Sequence, residues 1–90
     1  MRKHYNITVA GRVQGVFFRA STKTSADHLN IHGFVKNLPD GTVYIEAEGE
    51  DENLKLFLEW CSQGPKAARV DSCEVHESEI KNFKHFEISR

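Results

Sequence analysis

The fold of this chain is decided where its first strand passes into its first helix, at Gly11-Arg12-Val13-Gln14-Gly15-Val16-Phe17-Phe18-Arg19. Before this stretch, Tyr5, Ile7 and Val9 alternate with small or polar residues, which predicts a strand with one apolar face. A helix is expected to begin near Phe18. The two glycines between these elements allow positive φ, so that successive backbone N–H groups can turn toward one point. The stretch therefore predicts either an ordinary strand-to-helix turn or a cradle for an anion.

The residues around this turn suit an anion cradle, although such a turn by itself is more often only a turn, and they do not match two well-known phosphate-binding loops. A helix N-terminus directs unpaired N–H groups and a positive dipole end at the turn, and Arg19 adds a planar cation that suits two phosphate oxygens. A Walker loop would need Lys followed by Ser or Thr after the second glycine, where this chain has Val16 and Phe17. The dinucleotide fingerprint is excluded because the spacing of Gly11 and Gly15 is wrong for it.

The next elements predicted are the end of the first helix and a hairpin. The helix is expected to run to Leu29, with Asn30 as a left-handed C-cap. Residues 34–37 and 42–48 form two predicted strands, joined by the turn signal Leu38-Pro39-Asp40-Gly41. In the second of these strands the residues alternate, so that one set is expected to face the core and the other to face away. The inward set is Val43, Ile45 and Ala47, and the outward set is Thr42, Tyr44, Glu46 and Glu48.

A second helix and two further strands complete the predicted order. The helix has Leu54, Phe57, Leu58 and Cys61 at helical spacing, and Gly64-Pro65 ends it. A strand over residues 70–76 is expected to turn Cys73 and Val75 inward, and a short last strand to place Phe86 and Ile88 on the core side. This order predicts an α+β fold of the ferredoxin-like split βαβ type, with two helices on one face of an antiparallel sheet. Because many functions share this architecture, the fold alone does not decide what the protein does.

Length and composition indicate one ordinary globular domain over residues 1–90. The chain is 39% hydrophobic and 28% charged, and no segment resembles a signal peptide or a membrane span, so we expect a cytoplasmic protein without a membrane partner. Cys61 and Cys73 lack metal-ligand spacing and are expected to be small buried residues rather than a disulfide. A monomer is the default expectation, since the sequence has no obvious exposed apolar stripe.

Charge is distributed unevenly along the chain. Residues 1–36 contain six Lys and Arg side chains against a single Asp, whereas residues 37–90 contain six against twelve acidic ones, and the net charge is −1. The basic half contains the glycine turn, where it could concentrate small anions. The net charge argues against indiscriminate binding to nucleic acid.

Two motifs together resemble the paired signatures of the acylphosphatases. The first is the stretch at residues 11–19, and the second is Gly33-Phe34-Val35-Lys36-Asn37-Leu38-Pro39-Asp40-Gly41. The similarity continues through residues 57–61, 64–65, 68–71 and 86–90, and it therefore covers essentially the whole chain. Asn30 and Lys66 stand where glycine and proline are frequent in the family, at a helix end and in a connection.

The resemblance implies a small enzyme that hydrolyses the carboxyl–phosphate bond of acyl phosphates and releases inorganic phosphate, without a metal or an organic cofactor. It implies that phosphate is bound by the backbone of Gln14, Gly15, Val16, Phe17 and Phe18. Arg19 matches the arginine that binds the phosphate, and Asn37 matches the asparagine that positions the attacking water.

Other functions have weaker support in the sequence. An RNA reader of this fold would expose aromatic and basic residues on its central strands, whereas Tyr44 shares its face with Glu46 and Glu48. A soft-metal carrier would need paired cysteines in the first loop, and a zinc site at His28 and His32 would need a helix that continues past Asn30. The main alternative is a non-catalytic anion-binding or regulatory domain that keeps the cradle but lacks turnover.

Overall fold

Helices and strands follow one another in the predicted order in the computed structural model, which describes residues 1–89. They are β1 (Arg2–Arg12), α1 (Phe18–His28), β2 (His32–Asn37), β3 (Val43–Glu50), α2 (Asp51–Gln63), β4 (Arg69–Ser78) and β5 (Phe86–Ile88). The strands form one sheet in the order β4-β1-β3-β2-β5. The first four are antiparallel to their neighbours, which confirms the ferredoxin-like plan.

The short last strand makes the sheet mixed at one edge, beside the predicted antiparallel strands. β5 pairs in parallel with β2, with Gly33 opposite Phe86 and Val35 opposite Ile88. The direction of β5 follows from the connection that precedes it. β4 and β2 run in opposite directions. After β4 the chain crosses the sheet and reverses its direction, so β5 runs parallel to β2.

The core lies between the helices and one face of the sheet, as predicted from the alternation of β1 and β3. The residues of β3 expected to face inward, Val43, Ile45 and Ala47, are fully buried. From the helices, Phe18, Leu54 and Phe57 are no more than 2% exposed, and the ring of Phe57 meets that of Phe86 edge-on at 6.1 Å. This packing fixes the start of α1 against the sheet.

The end of α1 follows the sequence prediction closely. Asn30 has a φ of +55° and is left-handed, as expected of a C-cap. The N–H of Asn30 donates to the carbonyl of Asp27 at 3.4 Å, and the N–H of Ile31 donates to that of Ala26 at 2.8 Å. These two bonds form a Schellman motif. The prediction that the helix ends before His32 is therefore confirmed.

The face of the sheet opposite the helices is also covered, which the sequence did not indicate. Glu46 and Glu48 do point away from the helices, but they are only 7% and 0% exposed. The segment between β4 and β5 lies over them: the N–H groups of Lys81 and Phe83 donate to the carboxylate of Glu48 at 2.9 and 2.8 Å. His4, fully buried, places one ring nitrogen 2.7 Å from Glu48 and the other 3.0 Å from Glu46. A buried polar network thus attaches this segment to the sheet.

Two residues predicted to be inward are more exposed than expected. Val75 lies opposite Ile7 on the edge strand β4 and is 37% exposed, because an edge strand is covered by the helices only in part. Ile88 is 42% exposed, although Phe86 is buried as predicted. Cys61 is a fully buried free thiol and Cys73 a half-buried one packed against the core. Across residues 1–89, no helix is long and apolar enough to cross a membrane.

Candidate functional site

The first glycine of the opening motif belongs to the strand, not to the anion cradle. The pairing of β1 with β4 shifts between Ala10 and Gly11, which marks a β-bulge. Gly11 has a φ of +131°, and a Cβ there would lie 2.2 Å from the carbonyl oxygen of Arg69. The expectation that both glycines shape the cradle is therefore wrong for Gly11, which is needed where two backbones meet closely.

The turn itself contains two left-handed residues. Gly15 has a φ of +72°, with open space around the position of a Cβ. Phe17 has a φ of +61° and a ψ of +23°, a conformation that is disfavoured by about 1–2 kcal/mol in residues with a Cβ. Its side chain is 81% exposed. A bulky residue held in this conformation in the proposed phosphate loop is local strain of the kind found at functional sites.

The N-terminus of α1 has neither a side-chain cap nor a negative charge to balance the helix dipole. Phe17 occupies the N-cap position and provides no side-chain hydrogen bond, and the first turn contains no acidic residue. The first N–H of the helix bonded within it is that of Ser21, which donates to Phe17 at 3.0 Å, so the preceding N–H groups have no helical acceptor. Arg19 adds a positive charge where the helix dipole is already positive. A bound anion would compensate both.

Asn37 lies at the end of β2, on the same side of the sheet as the buried Val35. It is paired with Val43 across the hairpin. Its side-chain oxygen Oδ1 is buried and has no hydrogen-bond partner among residues 1–89. Leaving such a group without a partner costs roughly 1–3 kcal/mol, and unsatisfied buried groups in native proteins often mark a functional role.

One cavity of about 310 Å³ brings most of the predicted site residues together. Its walls include Gly15, Phe17, Phe18, Arg19 and Asn37. Arg19 from α1 and Asn37 from β2 therefore meet at the same space, although they are distant in sequence. The ion pairs formed within residues 1–89 do not include Arg19.

Two predicted residues do not line this cavity. Val16 is 6% exposed and belongs to the core. The side-chain amide of Gln14 turns to the hairpin and donates to the carbonyls of Leu38 and Thr42, both at 2.9 Å. Their contribution to an anion site would come from the course of the backbone.

Three residues that the sequence reading did not select also line the cavity, namely Val13, Ala20 and Ile88. Val13 and Ala20 flank the predicted site residues 14–19 and could have been included on that ground. Ile88 could not, because nothing in a three-residue strand at the far end of the chain indicates that it lies beside β2 and Asn37.

The cavity has a donor set suited to an anion rather than to a metal ion. An arginine and an uncharged amide are its polar side chains, and within residues 1–89 no group of three or more His, Cys, Asp and Glu side chains could hold a metal ion. His28 is the last residue of α1, and His32 lies in β2 with Nδ1 3.1 Å from the carbonyl of Phe83.

Comparisons with known proteins agree on one family. The Acylphosphatase family model matches residues 5–88. An acylphosphatase from Methylococcus capsulatus is 44% identical over 98% of this chain and 97% of its own. One from Archaeoglobus fulgidus is 49% identical over 92% and 93%. The crystal structure of acylphosphatase from Bacillus subtilis superposes with a TM-score of 0.95 at 38% identity, covering 100% of both chains.

Proposed function

The chain belongs to the acylphosphatase family, and on that premise we propose that it hydrolyses acyl phosphates to a carboxylate and inorganic phosphate, with Arg19 and Asn37 as its catalytic residues. The observation that supports these two roles is that both side chains line one cavity at the N-terminus of α1. The substrate is a small molecule, and the phosphate produced would occupy the same place as the phosphate group of the substrate.

Phosphate binding is assigned to the loop, the helix and Arg19. Gly15, Phe17 and Phe18 of the loop over residues 14–18 line the cavity, and the N–H groups of the first turn of α1 have no helical acceptor. The guanidinium of Arg19 can donate two parallel hydrogen bonds to phosphate oxygens. In phosphoryl transfer, charge is spread over the equatorial oxygens, so fixed donors of this kind stabilise the transition state.

The leaving group explains why so few residues suffice. The bond that breaks joins phosphorus to a carboxylate oxygen, and the electron pair leaves with that oxygen. A carboxylic acid has a pKa of about 4, so the carboxylate departs as an anion and needs no general acid. Among residues 1–89, neither a histidine nor a carboxylate side chain lines the cavity, in agreement with this chemistry.

Asn37 is assigned to the attacking water. Its unpartnered Oδ1 can accept a hydrogen bond from the water and so hold the water oxygen toward phosphorus. The amide is neutral and a very weak base, so it does not remove the proton. In this mechanism the new P–O bond forms as the carboxylate leaves, and the proton of the water passes to a phosphate oxygen.

The test is hydrolysis of benzoyl phosphate by the purified protein in excess metal chelator. Arg19→Ala should lower kcat/KM by about a hundredfold or more, as expected for the loss of a preorganised charge-stabilising donor. Asn37→Ala should lower kcat while inhibition by inorganic phosphate is retained. Arg12→Ala is the matched control, since Arg12 is an exposed arginine of the same motif; it should change kcat/KM by less than about threefold.

The outcomes distinguish an acylphosphatase from a non-catalytic anion-binding or regulatory domain. Turnover that both site variants abolish supports the proposed enzyme and its residues. A folded protein that binds phosphate without turnover would instead be a non-catalytic anion-binding domain. Full activity of Arg19→Ala would contradict the assigned roles.

We also propose a monomeric protein in the cytoplasm, as expected from the sequence. The large hydrophobic side chains exposed away from the cavity belong to different parts of the chain: Met1 precedes β1, Leu56 lies on α2, Val75 on β4 and Ile80 after β4. Sedimentation equilibrium of the purified chain tests the monomeric state, and a concentration-dependent rise in mass would contradict it.

A further inference from the structure

The cavity contains more apolar surface than phosphate binding requires. Five of its eight lining residues are apolar. Of these, Val13 and Phe18 are 1% and 2% exposed, whereas Phe17 and Ile88 are 81% and 42% exposed, so we take the buried pair as the floor of the cavity and the exposed pair as its mouth. Its volume of about 310 Å³ is at the lower end of that of ligand pockets, ~300–1,000 Å³. An organic group can therefore be accommodated beside a phosphate.

Phe17 is an unfavourable residue for its backbone position, which suggests that its ring has a role in ligand binding. The N-cap of a helix favours Ser, Thr, Asp or Asn, and a left-handed residue favours glycine or asparagine. Phe17 satisfies neither preference, and its ring is turned outward to solvent. Ile88 comes from the other end of the chain and lines the same cavity.

We propose that Phe17 and Ile88 form an acyl-binding subsite that selects acyl phosphates with an uncharged apolar acyl group, such as an aryl group, over acetyl phosphate. This inference rests on the proposed function, because it concerns the part of the substrate that is not phosphate. It assigns substrate specificity to two side chains that have no proposed role in holding the phosphate group.

The placement of polar and apolar groups in the cavity explains the direction of the selectivity. Arg19 and the first turn of α1 hold the phosphate at the polar end of the cavity, so the acyl group extends toward the mouth. There, the large exposed side chains are those of Phe17 and Ile88, and Arg19 is the one charged side chain among the lining residues within the described chain. An aryl group would remove more apolar surface from water against these two side chains than an acetyl group would, whereas a charged acyl group would lose hydration without gaining a partner among the described lining residues.

The test compares kcat/KM for benzoyl phosphate with kcat/KM for acetyl phosphate in each variant. The two acyl phosphates differ in intrinsic reactivity, but that difference is the same for every variant, so a change in the ratio reports the enzyme alone. We expect the ratio to fall about tenfold in Phe17→Ala and about threefold in Ile88→Ala. Phe17→Leu should restore part of it. Leu56→Ala removes a 52% exposed side chain from α2, away from the cavity, and should leave the ratio unchanged.

The outcomes are distinguishable from those of the proposed function. Turnover of both acyl phosphates with a ratio that neither Phe17→Ala nor Ile88→Ala alters would overturn the acyl-binding subsite and leave the enzyme assignment intact. Turnover of neither acyl phosphate by the wild-type protein would contradict the proposed function itself. Ile88→Thr keeps a β-branched residue in β5, and it provides the same comparison if Ile88→Ala does not fold.

Discussion

The side-chain amide of Gln14 donates a hydrogen bond to the carbonyl of Leu38 at 2.9 Å, and it donates a second to Thr42 at the same distance. The loop that would bind phosphate is thereby tied to the hairpin that carries Asn37. Both carbonyls also accept a backbone N–H, that of Gly41 on Leu38 and that of Leu38 on Thr42. Gln14 therefore joins two parts of the site without being the sole partner of either carbonyl.

We predict that Gln14 acts as a positioning residue. Gln14→Met keeps the length of the side chain but removes both donated bonds, so kcat should fall about tenfold as Asn37 shifts relative to the phosphate. The free energy of unfolding should fall by only about 1–2 kcal/mol, because both carbonyls keep a partner. Steady-state kinetics and urea unfolding measure the two effects.

A graded series tests this role. Gln14→Glu places carboxylate oxygens against two carbonyl oxygens and adds negative charge beside the phosphate loop, so it should reduce kcat more than Gln14→Met does. The inhibition constant of inorganic phosphate should change little in Gln14→Met. If phosphate affinity fell in parallel with kcat, Gln14 would act on phosphate binding rather than on the placement of Asn37.

Asn37 is expected to be needed for activity and not for stability. Its Oδ1 is buried without a partner in the described chain, so Asn37→Ala removes an unsatisfied group. We predict that the free energy of unfolding stays within about 0.5 kcal/mol of wild type or rises, while kcat falls about a hundredfold. Such a trade is common where a site is built for function at the expense of stability.

Asn6 provides the matched comparison. It also lies in a strand, but its Oδ1 is 3.1 Å from Nε2 of His4 and accepts a hydrogen bond from the hydroxyl of Ser78 at 3.3 Å. Asn6→Ala should therefore destabilise the protein by about 1 kcal/mol and leave kcat near that of wild type. A similar loss of stability in both variants would mean that Asn37 has a structural partner.

The carboxylate of Glu48 should make stability depend on pH in the acidic range. Burial alone would raise its pKa, but the hydrogen bonds from the N–H of Lys81, from His4 and from the N–H of Phe83 outweigh burial and lower the pKa. A group with a lowered pKa stabilises the fold above its unfolded pKa, about 4.3 for Glu. That stabilisation is lost as the pH falls through the lower folded value.

Comparison of wild type with Glu48→Gln isolates this effect. Urea unfolding at pH 7 should show a loss of about 2 kcal/mol in the variant, and the difference should shrink as the pH falls below 4. Glu59→Gln, at an exposed position of α2, should differ little from wild type at either pH. A Glu48→Gln deficit that stayed constant down to pH 2 would show that charge is not its cause.

The parts of the fold and site that could be predicted from the sequence are those encoded by contiguous residues. The start of α1 at Phe18 and the left-handed Asn30 that follows its end at His28 reflect local turn chemistry. Arg19 and Asn37 could be selected because each lies in a continuous motif. The periodicity of β3 gave its inward face correctly.

What could not be predicted depends on contacts distant in sequence. The alternation of β3 predicts that Glu46 and Glu48 face away from the core, but it does not indicate that another segment buries them. The segment between β4 and β5 that does so has no periodic pattern of its own. The sequence predicted Gly11 to be part of the cradle, because the close approach of Gly11 to Arg69 arises only when β4 pairs with β1. Ile88 was missed for the same reason.

The two thiols should report separately on local and global opening. Burial raises the pKa of Cys61 well above its ordinary value, and the nearby Cys73 adds to this; burial also raises the pKa of the half-buried Cys73. Since the thiolate is the nucleophile, iodoacetamide should label Cys73 slowly in the folded protein and Cys61 only when the chain unfolds. The labelling rate of Cys61, followed by mass spectrometry, should rise with urea in proportion to the unfolded population.

Phosphate binding can then be measured without turnover. A ligand that binds only the folded chain stabilises it by RT ln(1 + [L]/Kd), so inorganic phosphate at a hundred times its Kd should slow labelling of Cys61 about a hundredfold and leave that of Cys73 nearly unchanged. Arg19→Ala should abolish this protection at the same phosphate concentration, whereas Asn37→Ala should retain it. Loss of protection in Asn37→Ala would assign Asn37 to phosphate binding, and the division of roles between the two residues would then be wrong.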